Sequence, residues 1–248
     1  IGLFLGRSFK VVSFSLVLAA LAGFLIRQPI TMVVKVMSGR RPFSDRTPAL
    51  FWIGVYGLAG GTMLLTLILQ GYAVLLWLAV PALPVFGWHL WLVGRRAERK
   101  KPGVEIVASG VLALAAPAAY WVGLGEYSAA GWLIWGLCWL QAAGSIVYAY
   151  LRLEQRVLKS LPAMKDRVLL GKRSFLYSSF ALGLTTLLAV AKIVPPFLPL
   201  AFSLQWLETI WGIFNPAVGV KPASIGIRQL IVSSLFTMAF IITWLIPR

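Results

Sequence analysis

Few side chains in this 248-residue sequence could support acid–base, metal or nucleophilic chemistry. It has seven acidic residues, and no two of them stand three or four positions apart, so no helix face offers a carboxylate pair for Mg²⁺. His89 is the only histidine and Cys138 the only cysteine, which excludes an ordinary zinc site and argues against a catalytic triad. We therefore expect no catalytic residues and no bound metal.

Polar residues cluster where the first long apolar segment ends. They are Arg27, Gln28, Thr31, Lys35, Arg40 and Arg41. Gln28, Thr31 and Lys35 follow the i, i+3, i+7 spacing of one helix face. An arginine within a membrane span costs at least about 2.5 kcal/mol on insertion scales, so we expect Arg27 to face protein, water or a bound anion. The alternative is that Arg27 extends to the lipid headgroups.

Two more polar clusters occur later in the chain. One comprises Tyr148, Tyr150, Arg152, Glu154, Arg156 and Lys159. The other contains Arg228, near the start of the last apolar segment, where a helix dipole favours anions over cations. Arg228 should therefore have a negatively charged partner. Glu208 is the candidate ion-pair partner within the protein, and a lipid phosphate is the other candidate.

His89 lies among tryptophans in the segment GWHLW, residues 87–91. The ordinary interpretation is an interfacial histidine in an aromatic belt. The functional interpretation is an axial ligand to a chlorophyll or haem. A haem with two histidine ligands from this chain is excluded, because there is no second histidine.

The composition indicates a polytopic, all-α membrane protein. Hydrophobic residues make up 60% of the chain and charged residues only 12%, whereas a soluble domain has about 25% charged residues. One cysteine excludes a disulfide scaffold. The net charge of +16 reflects membrane topology, so we expect no nucleic-acid partner.

Eight apolar segments are long enough, or nearly so, to span a bilayer core about 30 Å thick. They are residues 8–36, 48–69, 72–93, 104–122, 129–151, 173–191, 197–213 and 224–246. The segment 197–213 is short and follows three prolines, so it is either a tilted span or a re-entrant piece. We expect kinks at Pro29, Pro81, Pro84 and Pro117.

Most of the 23 Lys and Arg residues fall in four loops, at 35–47, 94–105, 152–173 and 214–223, which lie on one side if every segment crosses. The positive-inside rule places that side in the cytoplasm and the C-terminus outside. A cytoplasmic N-terminus then requires a ninth helix before Ile1. We predict a single transmembrane domain, residues 1–248, in a bacterial cytoplasmic or thylakoid membrane.

Several segments resemble the YwiC-like family of bacterial integral membrane proteins. They are 24–29 (FLIRQP), 39–42 (GRRP), 95–99 (RRAER), 114–120 (LAAPAAY) and 221–228 (KPASIGIR). The resemblance covers nearly the whole chain and implies a membrane protein, but no particular activity. The family usually begins with a His-Gly-Ala-Trp motif on a first helix, which we expect to precede Ile1.

The predicted architecture is also similar to that of the UbiA prenyltransferase superfamily. That similarity implies two cytoplasmic loops with Asp-rich motifs, which hold Mg²⁺ and a prenyl diphosphate. Here Gln28, Thr31 and Lys35 occupy the first region, and Arg152, Glu154 and Arg156 occupy the second, so the aspartates are missing. We therefore expect no Mg²⁺-dependent prenyl transfer, although basic residues could hold an anionic headgroup directly.

Three functions remain open. The first is binding of an isoprenoid, quinone or lipid with an anionic headgroup at one basic cytoplasmic cavity, to which the three polar clusters contribute. The predicted ligand-binding residues are Arg27, Gln28, Lys35, Arg40, Arg41, Arg152, Arg156 and Arg228. The second is an accessory subunit or assembly factor of a photosynthetic or respiratory complex, whose aromatic surface contacts quinone, carotenoid, chlorophyll or partner helices. The third is a transporter with proline-broken helices.

Overall fold

A computed structural model of the protein describes residues 1–6, 11–97 and 102–246, and every regular element in these ranges is helical. Basic residues predicted in the 94–105 loop, Arg99, Lys100 and Lys101, lie outside the described residues. The α-helices are α1 (Gly2–Leu5), α2 (Val11–Met37), α3 (Arg46–Leu69), α4 (Ala79–Gly94), α5 (Pro102–Ala113), α6 (Ala115–Leu124), α7 (Ala130–Arg156), α8 (Met164–Val190), α9 (Leu198–Phe214) and α10 (Pro222–Leu245). Two short 3₁₀ helices, Phe43–Asp45 and Ala73–Leu78, precede α3 and α4.

The helical lengths confirm a multi-pass transmembrane bundle. Among the described residues, seven helical stretches are long and apolar enough to cross a membrane, and they coincide with seven of the eight predicted segments. The eighth, predicted at 197–213, forms α9, which has 17 residues. This is somewhat short of the roughly 20 residues that a perpendicular span needs, so full crossing by α9 stays a prediction.

The prolines occupy two kinds of position in the helices. Pro29 and Pro84 lie inside α2 and α4. Pro117 instead follows a break at Leu114, which separates α5 from α6. The cause is local: Pro117 has no N–H to donate to the carbonyl of Ala113, so the α-helical ladder stops there.

The predicted loop 152–173 is wrong in its extent. α7 continues to Arg156 and α8 begins at Met164, so only residues 157–163 connect the two helices. Lys and Arg are good helix formers, and a charged helical turn can extend beyond the hydrocarbon. Hydropathy therefore located the apolar part of α8 and missed its first turns.

By its internal contacts the chain divides into two compact units, residues 2–136 and residues 137–248 together with Ile1. In the first, α2 packs against α3, and α1 packs against α6. The indole of Trp121 is fully buried in this unit, and its N–H donates to the carbonyl of Ser128 at 2.7 Å. The N–H of a buried indole usually has a hydrogen-bond partner of this kind.

The second unit consists of the larger part of α7 with α8, α9 and α10, and α9 packs against both α8 and α10. α8 and α9 approach each other closely at Gly171, where an added Cβ would lie 2.3 Å from Cγ1 of Ile213. Small residues at such crossings are the usual basis of helix packing in membranes. The candidate site described below lies in this unit.

Candidate functional site

A group of charged residues inside the second unit joins α7, α9 and α10. The carboxylate of Glu208, on α9, accepts hydrogen bonds from Nε of Arg228 at 2.5 Å and from Nη2 at 2.8 Å. The hydroxyl of Tyr148, on α7, donates to the same carboxylate at 2.8 Å. The Glu208 side chain is 9% exposed and that of Arg228 43%, so the structure pairs Arg228 with the acid that the sequence indicated.

The indole of Trp211 lies against two arginines of this charged group, Arg228 and Arg152. The guanidinium carbon of Arg228 lies 3.5 Å from the centre of the indole, and that of Arg152 lies 5.1 Å from it. Such cation–π contacts stabilise a desolvated guanidinium. Two guanidiniums and the single carboxylate of Glu208 leave the group with one positive charge.

The side chain of Arg152 binds carbonyl groups at the C-terminal end of α9. Its Nη1 donates to the carbonyl of Gly212 at 3.0 Å and to that of Asn215 at 2.6 Å, and the residue is 5% exposed. Gln155, fully buried, also donates to the Gly212 carbonyl at 3.0 Å. The last carbonyls of a helix have no partner within it, and these side chains supply partners in a place where water is scarce.

Arg156 contacts the same connection. Its Nε donates to the carbonyl of Val220 at 3.3 Å, while the amide of Gly219 donates to the carbonyl of Arg156 at 3.2 Å. Arg152 and Arg156, both predicted headgroup ligands, thus hold the α9–α10 connection against α7.

A second polar group lies one helical turn from the charged group. Oγ of Ser145, on α7, lies 2.8 Å from Oε1 of Gln229 and 3.3 Å from Oε1 of Gln205. Gln141 is one turn earlier on the same face of α7 and is 6% exposed, and Gln205 is 3% exposed. The Nε2 atoms of Gln141, Gln205 and Gln229 are buried and have no hydrogen-bond partner among the described residues. We call Gln141, Ser145, Gln205 and Gln229 the amide group.

A groove of about 430 Å³ lies between α8 and α9, on the side of α9 away from Glu208. Two of its lining residues are lysines, Lys165 and Lys172, which are seven positions apart and so share one face of α8. The other lining residues are apolar: Val168, Leu169, Phe175, Leu176, Ile210, Ile213 and Phe214. The groove therefore combines an apolar wall with two cationic side chains at the basic end of α8.

The remaining predicted ligand residues lie in the first unit. Arg27 is half-buried with its guanidinium 5.5 Å from the ring centre of Phe24, whereas Gln28 is exposed and Lys35 half-buried. Their convergence with Arg152, Arg156 and Arg228 on one cavity stays a prediction, as does the prediction that Arg27 faces the interior of the bundle.

Arg40 and Arg41 already have partners within the first unit. Nη1 of Arg40 donates to the carbonyl of Val93 at 2.6 Å. Nη1 of Arg41 forms an exposed i, i+4 ion pair with Asp45 at 3.1 Å. Each of these two arginines would therefore have to share its donors with a headgroup.

His89 lies half-buried on α4, and its role as a pigment or haem ligand stays a prediction. Among the described residues, no three His, Cys, Asp or Glu side chains lie close enough together to hold a metal ion.

Sequence reasoning missed the groove lysines and the amide group, although the signal for the amide group was present. Polar residues recur along α7 at spacings of four, three, four and three: Gln141, Ser145, Tyr148, Arg152 and Gln155. This spacing places them on one helix face, which in a membrane span predicts a polar surface buried by protein. Gln205, Glu208 and Gly212 give α9 the matching pattern.

Comparison with known families covers the first half of the chain. Residues 1–120 match the family model described as YwiC-like protein. Over this part of its length the chain is similar to the YwiC-like family. The YwiC-like match includes the segments 24–29 and 39–42, whereas beyond residue 120 the resemblance stays a prediction, as does the similarity to UbiA proteins. No curated protein and no solved structure matches this chain.

Proposed function

We propose that this multi-pass membrane protein binds an acidic glycerophospholipid of the surrounding bilayer in the groove between α8 and α9. The observation that carries the proposal is the combination of Lys165 and Lys172 with seven apolar side chains in one groove. Its volume, about 430 Å³, lies within the range of about 300–1,000 Å³ that is usual for ligand pockets.

The chemistry of the groove matches the two ends of such a lipid. A phosphate would lie between the two ammonium groups, and one acyl chain would follow the apolar wall towards Phe175 and Leu176. The lysines belong to the end of α8 that the positive-inside rule assigns to the cytoplasm. Basic pockets between transmembrane helices on that side suit acidic lipid headgroups, at about 1 kcal/mol for each lysine.

Charge complementarity selects the acidic lipid over a quinone. A quinone has no anionic group, so it would leave both lysines without a partner. An isoprenyl diphosphate has the same anionic and apolar parts as the lipid, and the experiment below separates these two ligands by direct comparison. The accessory-subunit and transporter interpretations stay predictions from the sequence.

The test is native mass spectrometry of the purified protein, titrated with phosphatidylglycerol, phosphatidylcholine or farnesyl diphosphate. We expect phosphatidylglycerol to bind more tightly than phosphatidylcholine. The double variant Lys165→Gln/Lys172→Gln should weaken that binding by about tenfold or more, since two lysines contribute about 2 kcal/mol. A matched control is Lys159→Gln/Lys221→Gln, which removes the same charge at two exposed positions and should bind as the wild type does.

Two results would contradict the proposal. One is equal binding of phosphatidylglycerol to the wild type and the groove variant. The other is tighter binding of farnesyl diphosphate than of phosphatidylglycerol, which would assign the groove to an isoprenoid. A third variant, Leu176→Trp, fills the apolar wall and keeps both lysines, so retained binding in it would show that the acyl chain lies elsewhere.

A further inference from the structure

We propose that the amide group is a second binding site, which takes a small anion: a halide ion or the carboxylate of a small organic acid. The site is formed by α7, α9 and α10, and it does not depend on the lipid groove. Three observations carry it: unpaired buried donors, an uncompensated positive charge beside them, and a polar surface that leads from them to a partly exposed arginine.

The first observation is that buried amide donors have no hydrogen-bond partner among the described residues. The hydroxyl of Ser145 has one hydrogen, so it can donate to Gln229 or to Gln205 but not to both. If it donates to Gln229, the Gln205 amide can turn and donate to Ser145, but one of its two polar atoms then still has no partner. The Nε2 atoms of Gln141 and Gln229 lack partners among the described residues in either arrangement.

Unpaired amide donors are costly in this environment. A buried polar group without a hydrogen bond destabilises a folded protein, and several such groups together need a common explanation. Amide N–H and hydroxyl groups are the neutral side-chain donors that an anion accepts. A single acceptor beside Gln205 and Gln229, which both contact Ser145, would satisfy the donors of these two side chains, and Gln141 lies one turn along the same face of α7.

The charge next to the amide group favours an anion over a neutral acceptor. Gln205 and Ser145 stand one turn before Glu208 and Tyr148 on their helices, and Gln229 adjoins Arg228. The charged group carries one net positive charge, because among the described residues no carboxylate lies within ion-pair distance of Arg152. A monovalent anion would neutralise it, whereas a cation would add to the repulsion in a medium of low dielectric constant.

The surroundings of the amide group are polar on one side and aromatic on the other. Towards the basic end, the polar surface continues to Arg228, whose side chain is 43% exposed. Beyond the amide group in the other direction, Phe202 and Phe236 meet edge to face with ring centres 5.1 Å apart, and both are at most 3% exposed. The polar surface therefore leads from the amide group towards Arg228, and an aromatic contact lies on the opposite side.

The experiment measures thermal unfolding of the purified protein at constant ionic strength, with sodium chloride, bromide, formate or gluconate as the salt. We expect the chloride or formate series to raise the midpoint by about 4 °C for each tenfold increase in concentration above saturation. Gluconate, which is much larger than a halide ion or formate, should have no such effect. A response to halides identifies a halide site, and a response to formate alone identifies a carboxylate site.

Substitutions of the glutamines test whether the anion that raises the unfolding midpoint binds at the amide group. Gln205→Met and Gln229→Met keep the side-chain length and remove the donors, so the anion response should disappear. Gln70→Met changes an exposed glutamine at the end of α3 and should leave the response intact. Gln205→Glu supplies the negative charge within the protein, so it should abolish the response without loss of the fold.

The lipid-groove variant Lys165→Gln/Lys172→Gln should retain the anion response, which separates the two proposals. Equal midpoints in all four salts would overturn the anion site, because the amide group would then bind water only. A response that persists in Gln205→Met, Gln229→Met and Gln205→Glu would also overturn it.

Discussion

The ring of Tyr148 lies directly against the backbone of Gly212: a Cβ added at Gly212 would be 2.5 Å from Oη and 2.6 Å from Cε2 of the tyrosine. This contact positions the hydroxyl that donates to Glu208. Because position 212 has no side chain, α7 and α9 lie close enough here for the hydroxyl of Tyr148 to donate to Glu208.

Gly212→Ala should lower the stability of the protein by about 1–3 kcal/mol, because either the tyrosine ring or α9 must move. Thermal unfolding in detergent micelles measures the effect. The control is Gly183→Ala on α8, where an added Cβ meets nothing within 4 Å and helix propensity favours alanine. Equal midpoints for the two variants would show that α7 and α9 are less tightly packed than described.

The pair formed by Glu208 and Arg228 should show strong energetic coupling. In a double-mutant cycle with Glu208→Gln and Arg228→Gln, we expect a coupling free energy of about 1–3 kcal/mol, below the value for a fully buried pair because Arg228 is partly exposed. Chemical unfolding of the four proteins provides the measurement.

A matched surface pair is available for comparison. Arg41 and Asp45 form an i, i+4 ion pair with side chains 49% and 30% exposed. Their coupling should be less than about 1 kcal/mol and should fall as salt is added. Coupling of the same size in both cycles would mean that burial does not strengthen the Glu208 pair.

Arg152→Lys should destabilise the end of α9 although the charge is retained. Nη1 of Arg152 lies within 3.0 Å of the carbonyls of Gly212 and Asn215 and of Oε1 of Gln155, and its planar guanidinium also lies over the ring of Trp211, an arrangement that a lysine ammonium does not reproduce. We expect a loss of about 1–3 kcal/mol in unfolding free energy.

Arg156→Lys is the control for this substitution, since Arg156 is half-buried and donates through Nε to one carbonyl, that of Val220, at 3.3 Å. Its cost should be smaller. If the two variants unfold alike, the charge and not the planar guanidinium stabilises this connection.

The crossing of α8 and α9 at Gly171 should tolerate alanine only when Ile213 is shortened. Gly171→Ala places a methyl group 2.3 Å from Cγ1 of Ile213, so it should lower the unfolding midpoint. Ile213→Ala removes that atom, and in the double variant the second substitution should cost less than it does alone. Additive effects of the two substitutions would contradict close packing at this crossing.

Much of the architecture was predictable because hydropathy alone determines where a chain can cross a bilayer. Seven of the eight predicted segments coincide with spanning helices, and the first half of the chain matches the family that its motifs resemble. The helix starts were less predictable. α8 begins at Met164 because its charged first turns are good helix formers that hydropathy assigns to a loop.

The sequence by itself determined the composition of the site: the scarcity of acids, the arginines near helix ends, and the polar spacing along α7. Only the tertiary structure decided which of these residues meet. The spacing of residues along a helix shows which of them share a face, but it does not show which neighbouring helix they contact. Thus Glu208 pairs with Arg228 while Arg152 serves carbonyl oxygens, because the packing of α9 against α7 and α10 places a carboxylate beside one arginine and a helix end beside the other.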